Sequence, residues 1–213
     1  MSTYLNLYDY RRKVADMYAE RRGSLAAGEN TEMVWQRFRL RRDALFRAHP
    51  QSALDEEQRR VFSRLAYFPY QPAYCVPARI ETDISQTSMI VAMDAHEQMN
   101  MTSVAHLHFM LQGQEATLTL YWLNIYGGGL FLPFRDTTSP AESYGGGRYL
   151  FDTIKGSDFL PAPGADSRDI LLLDFNYAYN PSCAYNDRWV CPLAPAENRL
   201  SIAIRAGEKK FHS

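Results

Sequence analysis

The hydrophobic period of this chain changes near residue 70. Before that point apolar residues recur at helical spacing: Leu7, Tyr10, Val14, Met17 and Tyr18 form one stripe, and Val34, Phe38 and Leu45 form another. Asn30 and Thr31 precede the second stripe and are good N-cap residues, so two amphipathic helices are expected. Ser52 with Asp55 three residues on resembles a capping box and predicts a third helix, with Val61, Phe62 and Leu65 on its inner face. The sequence FPYQP at 68–72 ends it, because its prolines lack the amide hydrogen a helix needs.

Beyond residue 70 the period drops to that of a strand. Ala105, Leu107, Phe109 and Leu111 point one way, whereas Val104, His106, His108 and Met110 point the other. Ala116, Leu118, Leu120 and Trp122 share a face in the next run, and Gly113-Gln114 supplies a turn between the two, which predicts a hairpin. Further strands are expected at 77–82, 87–93, 129–134, 170–176 and 199–206. No stretch between them has the length of a crossover helix, so the pairing should be antiparallel. The expected architecture is α+β: N-terminal amphipathic helices packed on an antiparallel β-barrel or sandwich. Residues 1–70 form the helical arm and residues 71–213 the β domain, together one structural unit.

Composition narrows the class. Of 213 residues, 46% are hydrophobic and 13% aromatic, which excludes a disordered chain, and a net charge of −1 argues against dominant attraction to nucleic acid or to a membrane surface. The first 65 residues carry 13 Arg or Lys against 9 Asp or Glu, and the rest carry 10 against 15, so the arm is mildly basic. Arg37, Arg39, Arg41, Arg42, Arg59, Arg60 and Arg64 are interrupted by acidic residues, which fits a solvated helix face better than a nucleic-acid surface. The aromatic stripe of the arm is expected to dock it on the β domain or on a second copy of the chain. The N-terminus lacks the pattern of a signal peptide and no run approaches a membrane span, so a cytoplasmic protein with reduced cysteines is expected.

Candidate chemistry concentrates between Asp174 and Lys209, where amides, tyrosines and two cysteines crowd between apolar strands. Asp174, Asn176, Tyr179, Asn180 and Tyr185 suit recognition of a small polar molecule, because amides donate and accept while tyrosines stack and hydrogen-bond at their tips. The same side chains can equally satisfy the backbone of a long connection. Glycine triplets at 127–129 and 145–147 match neither a dinucleotide loop nor a P-loop and suit tight turns. The second runs into Arg148 and follows Arg135 and Asp136; Arg148 can hold a ligand carboxylate in a bidentate fork or pair with Asp136. Cys183, with His106 or His108 as base, has the makings of a nucleophile. His106 and His108, two apart on a strand, also present imidazoles on one face as a metal site requires. The glutamate and downstream histidine of a cupin are out of place, Glu115 lying seven residues on and His212 at the tail, so Asp174, Glu197 or a cysteine would have to complete such a site.

The segments FRDTTSPAESYGGGRYL at 134–150 and LDFNYAYNPSCAY…CPLAPAENRLSIAIRAGEK at 173–209 resemble the uncharacterised conserved family catalogued as domain of unknown function 1684. The resemblance covers the β region, and the helical N-terminus fits the family's length and layout. It implies no reaction, catalytic role or cofactor. Ser139-Pro140 departs from the glycine-containing turn expected there. Three functions therefore stand. The first is a barrel binding a small polar molecule between the GGGR turn and the DFNYAYNPSCAY loop. The others are a cysteine- or metal-dependent, hydrolase-like enzyme and an interaction module. The first predicts that Asn180→Ala and Arg148→Ala leave the fold intact and abolish ligand retention.

Overall fold

The computed structural model describes residues 3–92, 98–162, 164 and 169–211; Met93 and His212 lie outside them. Three helices open the chain: α1 (Thr3–Ala26), α2 (Thr31–Ala48) and α3 (Glu56–Val61). Asn30 caps α2 as its sequence predicts, its side-chain oxygen accepting from the Met33 amide at 3.0 Å. The third helix departs from expectation. Its capping box is Asp55 with Gln58, three residues later than Ser52, and the Ser52 hydroxyl instead donates to the Phe46 carbonyl. Val61, expected on the inner face, is 78% exposed, because α3 ends there and the chain runs extended from Phe62.

Among the described residues eight strands follow: β1 (Cys75–Glu81), β2 (Ser88–Ala92), β3 (Gln98–Leu111), β4 (Gln114–Leu123), β5 (Gly129–Phe134), β6 (Arg148–Asp152), β7 (Leu160–Pro161) and β8 (Ile170–Asp174). They form one antiparallel sheet in the order β6-β5-β4-β3-β1-β8-β7, curled into a half-barrel and open between β6 and β7. β4 runs along one edge of β3 from Met101 to Leu111, so β1 and β2 share the other edge. The hairpin between β3 and β4 turns at Gln112-Gly113, one residue earlier than expected, both with positive φ as a two-residue turn demands.

The buried face changes side along the sheet. Ala105, Leu107, Phe109, Leu111, Leu118 and Leu120 line the main core as their alternation predicts. A bulge between Ser103 and Ala105 then switches β3, so that Met101, Tyr121 and Leu123 pack with Phe131 and Tyr149 on the opposite face. Trp122, expected inside, is thereby left 40% exposed.

The segment 199–206 has the apolar alternation of a strand, and Leu200, Ile202, Ile204 and Ala206 are buried, but it joins no ladder. Its first half bonds through backbone to residues 135–137, the Leu200 amide donating to the Arg135 carbonyl and the Ile202 carbonyl accepting from Thr137; from Ile204 on, side chains take the place of a partner strand. The carbonyls of Ile204, Ala206 and Glu208 accept from the Arg148 guanidinium, and the Ile204 amide donates to Asp136 Oδ2 at 2.6 Å. Gly147 makes this geometry possible: its φ is +93°, and a Cβ there would stand 2.5 Å from the Phe134 carbonyl oxygen.

Gly207 is held as tightly, with φ +76° and a notional Cβ 2.5 Å from the Ala178 carbonyl oxygen and 2.7 Å from that of Phe175. Gly207→Ala is therefore expected to cost roughly 2 kcal/mol or more, combining backbone strain with a clash that no flexible side chain can relieve. Urea unfolding measures it, and a loss of under about 0.5 kcal/mol would show that the turn relaxes freely.

Candidate functional site

The polar residues singled out after Asp174 come together, but mostly inside the protein. Asp174 Oδ1 accepts from the Asn176 amide at 3.1 Å and from its side-chain nitrogen at 2.9 Å, and Asp174 Oδ2 accepts from Arg21 of α1 at 3.2 Å. Asn176 also donates to the Gln71 carbonyl and accepts from the Gln71 amide, while its own carbonyl accepts from Trp35 of α2 at 2.9 Å. The loop thus welds the arm to the sheet. The weld continues downstream: Asn186 donates to Asp55 at 2.9 Å, and Trp189 to the Ala53 carbonyl at 2.9 Å.

Glu208 anchors the centre of this contact. Its carboxylate is 1% exposed and accepts from Arg42 of α2 at 2.6 Å, from the Tyr67 hydroxyl at 3.0 Å, from the Asn180 amide at 2.8 Å and from the Tyr185 hydroxyl. Burial, opposed by the Arg42 charge, drives the Tyr185 phenol well above its ordinary value, so it stays a donor to the carboxylate. Tyr179, Asn180 and Tyr185 also line a cleft of about 60 Å³ with Arg42 and Lys155. That is room for very little.

Arg148 and Asp136 pair at 3.2 Å, each side chain 1% exposed. Neither faces this cleft, and Arg135 stands half-buried with its backbone bonded to Asn198 and Leu200. Among the described residues, Arg148 and the glycines before it do not line the cleft of Tyr179, Asn180 and Tyr185. Asp174 lies on the wall of a different one, of about 810 Å³ and mainly apolar, between the end of α1, Tyr70, Leu160 and Leu172. Tyr177 lines it too, and its buried hydroxyl has no hydrogen-bond partner among the described residues.

The two histidines reach a ligand set that spacing along β3 did not contain. In the β1–β3 ladder Glu81 stands opposite His106, and therefore diagonal to His108 on the same face. Glu81 Oε2 lies 2.7 Å from His108 Nε2 and 3.9 Å from His106 Nδ1, and one ligand atom from each of the three falls within 4.8 Å of the others. The other ring nitrogen of His108 contacts Thr117 Oγ1 of β4 at 3.0 Å, so that ring is oriented from both neighbouring strands. The His108 hydrogen bond holds the Glu81 carboxyl below its usual range and favours the ionised, ligating form.

A cavity of about 520 Å³ adjoins this trio, lined by Glu81 and His106 together with Asp83, Thr87, Thr119, Tyr121 and Glu197. Tyr121 is 1% exposed and its hydroxyl has no partner among the described residues; burial, with Glu197 adding to it, pushes its pKa up to about 12. Only pairing could have revealed Glu81. It lies far from the histidines in sequence, and the register of β1 against β3 is a tertiary fact.

Comparison with known proteins fits this fold. The family model DUF1684, described as a protein of unknown function, matches residues 60–209. No curated protein matches the chain. Among solved structures, the solution NMR structure of an uncharacterized protein of Haloarcula marismortui is similar, with 35% identity over 84% of this chain and 93% of that one and a TM-score of 0.61.

Proposed function

We propose, for a chain that belongs to the DUF1684 family of proteins of unknown function, that Glu81, His106 and His108 bind a divalent transition-metal ion beside a pocket for a small polar molecule. The observation that carries this reading is the convergence of two imidazoles and a carboxylate from two paired strands, backed by Thr117. Imidazole with carboxylate suits zinc, iron, manganese or cobalt, and three protein ligands leave coordination positions open. A metal there would supply Lewis-acid assistance to a substrate in the adjoining cavity. The hydroxyls of Thr87, Thr119 and Tyr121 would position that substrate by hydrogen bonds, and Asp83 and Glu197 make the wall acidic.

Cobalt(II) titration of untagged protein, followed by visible absorption, tests the metal. One equivalent should bind, His106→Ala and His108→Ala should each weaken it by about a hundredfold or more, and Thr117→Ala by roughly tenfold. Undiminished binding in the double histidine variant would remove the assignment.

A second reading is capture of a small molecule without chemistry. The 810 Å³ cavity and the unpartnered Tyr177 hydroxyl favour it, and its lining suits an apolar body with one polar end. Native mass spectrometry separates the two readings. Retained organic mass that survives Tyr70→Ala excludes this cavity, whereas mass lost with His106→Ala belongs to the metal site.

A further inference from the structure

Cys183 and Cys191 belong to neither reading. Pro181 leads into a short 3-10 turn over Ser182–Ala184, and this turn aims the Cys183 amide at the Cys191 sulfur, 3.4 Å away. The Tyr144 hydroxyl contacts Cys183 Sγ at 3.6 Å. Cys183 is half-buried and Cys191 is 9% exposed, beside the surface residues Val190 and Leu193. Both thiols are free. We propose that this pair is a peroxide-reactive dithiol, with Cys191 the attacking sulfur and Cys183 the resolving one.

The electrostatics distinguish the partners. Interaction with Cys183 first, against the opposing effect of burial, then the nearby Lys155 and the backbone amides of Cys183 and Ser182 lower the Cys191 thiol below its ordinary value. The Cys183 thiol is raised by its interaction with Cys191 and by burial. The sequence makes Cys183 the candidate nucleophile; the geometry gives that part to Cys191, because its sulfur accepts the Cys183 backbone N–H at 3.4 Å. Cys75 is a built-in control, since burial first and Asp174 next push its thiol up to about 12.

A hydroperoxide is small enough to reach a mostly buried sulfur. The Cys191 thiolate attacks one peroxide oxygen, the O–O bond breaks, and the departing oxygen takes a proton to leave as water or alcohol. Cys191 is then a sulfenic acid, oxidised by two electrons. The Cys183 sulfur attacks it, the S–S bond forms, and hydroxide leaves with the Cys183 proton as water.

Hydrogen peroxide at neutral pH, followed by alkylation and peptide mapping, tests this on the full chain. The wild type should become lighter by two hydrogens, with 183 linked to 191 and Cys75 still alkylated. Loss of the pair should run at least about tenfold faster than loss of Cys75, whose thiol burial and Asp174 keep protonated. Cys183→Ser should accumulate a dimedone adduct on Cys191, and Cys191→Ser should slow thiol loss to the Cys75 rate. Equal oxidation of all three cysteines, or a wild type that goes to sulfinic acid without the link, would overturn the proposal.

Discussion

Glu208→Ala is expected to lower stability by roughly 3–5 kcal/mol, the range for breaking a buried ion pair from one side. The mutation removes one carboxylate but strands several donors. Arg42 loses its counter-ion in a site that is 9% exposed, and the Tyr67 hydroxyl, the Tyr185 hydroxyl and the Asn180 amide lose an acceptor they cannot replace from solvent. Since α2 meets the end of the chain here, the loss should loosen the helical arm together with the asparagine loop. Glu208→Gln keeps the shape and one acceptor oxygen and should fall between the two. Thermal or urea unfolding of the three proteins measures the series. Should Glu208→Ala cost under about 1 kcal/mol, the buried network is not what joins arm to sheet.

The α+β fold was legible in the sequence because its signals are local. The helical stripe of Val14, Met17 and Tyr18, the Asn30 cap and the alternation from Ala105 to Leu111 depend on neighbours within a few residues, and each is found in the structure. The glycine triplets form turns as expected, with positive φ at Gly127, Gly128 and Gly147, but FPYQP does not end the third helix, which stops at Val61 before either proline. β6 was missed for a physical reason: Arg148–Asp152 is buried at every position, so it shows no alternation. β7 is only two residues long. The strand expected at 199–206 shows the converse, a correct alternation whose backbone, past its first residues, is satisfied by side chains rather than a strand.

The candidate site was legible only in part. His106 and His108 share a face by simple period, but Glu81 and Thr117 reach them through ladders whose register no local pattern fixes. The crowd of amides and tyrosines after Asp174 was conspicuous because such groups are rarely concentrated without need. The need turned out to be structural: Asn176, Tyr185 and Asn186 hold α2, α3 and the sheet together, so a polar surface on the helical arm is matched by a polar loop. A sequence shows that buried polar groups require partners without showing whether those partners are the protein's own.

Arg148 is where the two interpretations of that need diverge most. As a ligand fork it would stand free, and Arg148→Ala would spare the fold. Its side chain is instead 1% exposed, paired with Asp136 and donating to three carbonyls of the 204–208 segment. Burial pulls its pKa down and Asp136 resists, and the guanidinium stays charged, so it needs its counter-ion. Arg148→Met is therefore expected to cost roughly 3–5 kcal/mol, leaving Asp136 unpaired and the carbonyls without donors. Adding Asp136→Leu should recover the part due to the stranded charge. It should not recover the rest, because the carbonyls stay unsatisfied and the Ile204 amide then loses its acceptor as well. Urea unfolding of the two single variants and the double closes this cycle. A double variant as stable as the wild type would make the guanidinium merely a counter-ion; one still weakened by about 2 kcal/mol or more would make it the partner that the end of the last apolar run has in place of a strand.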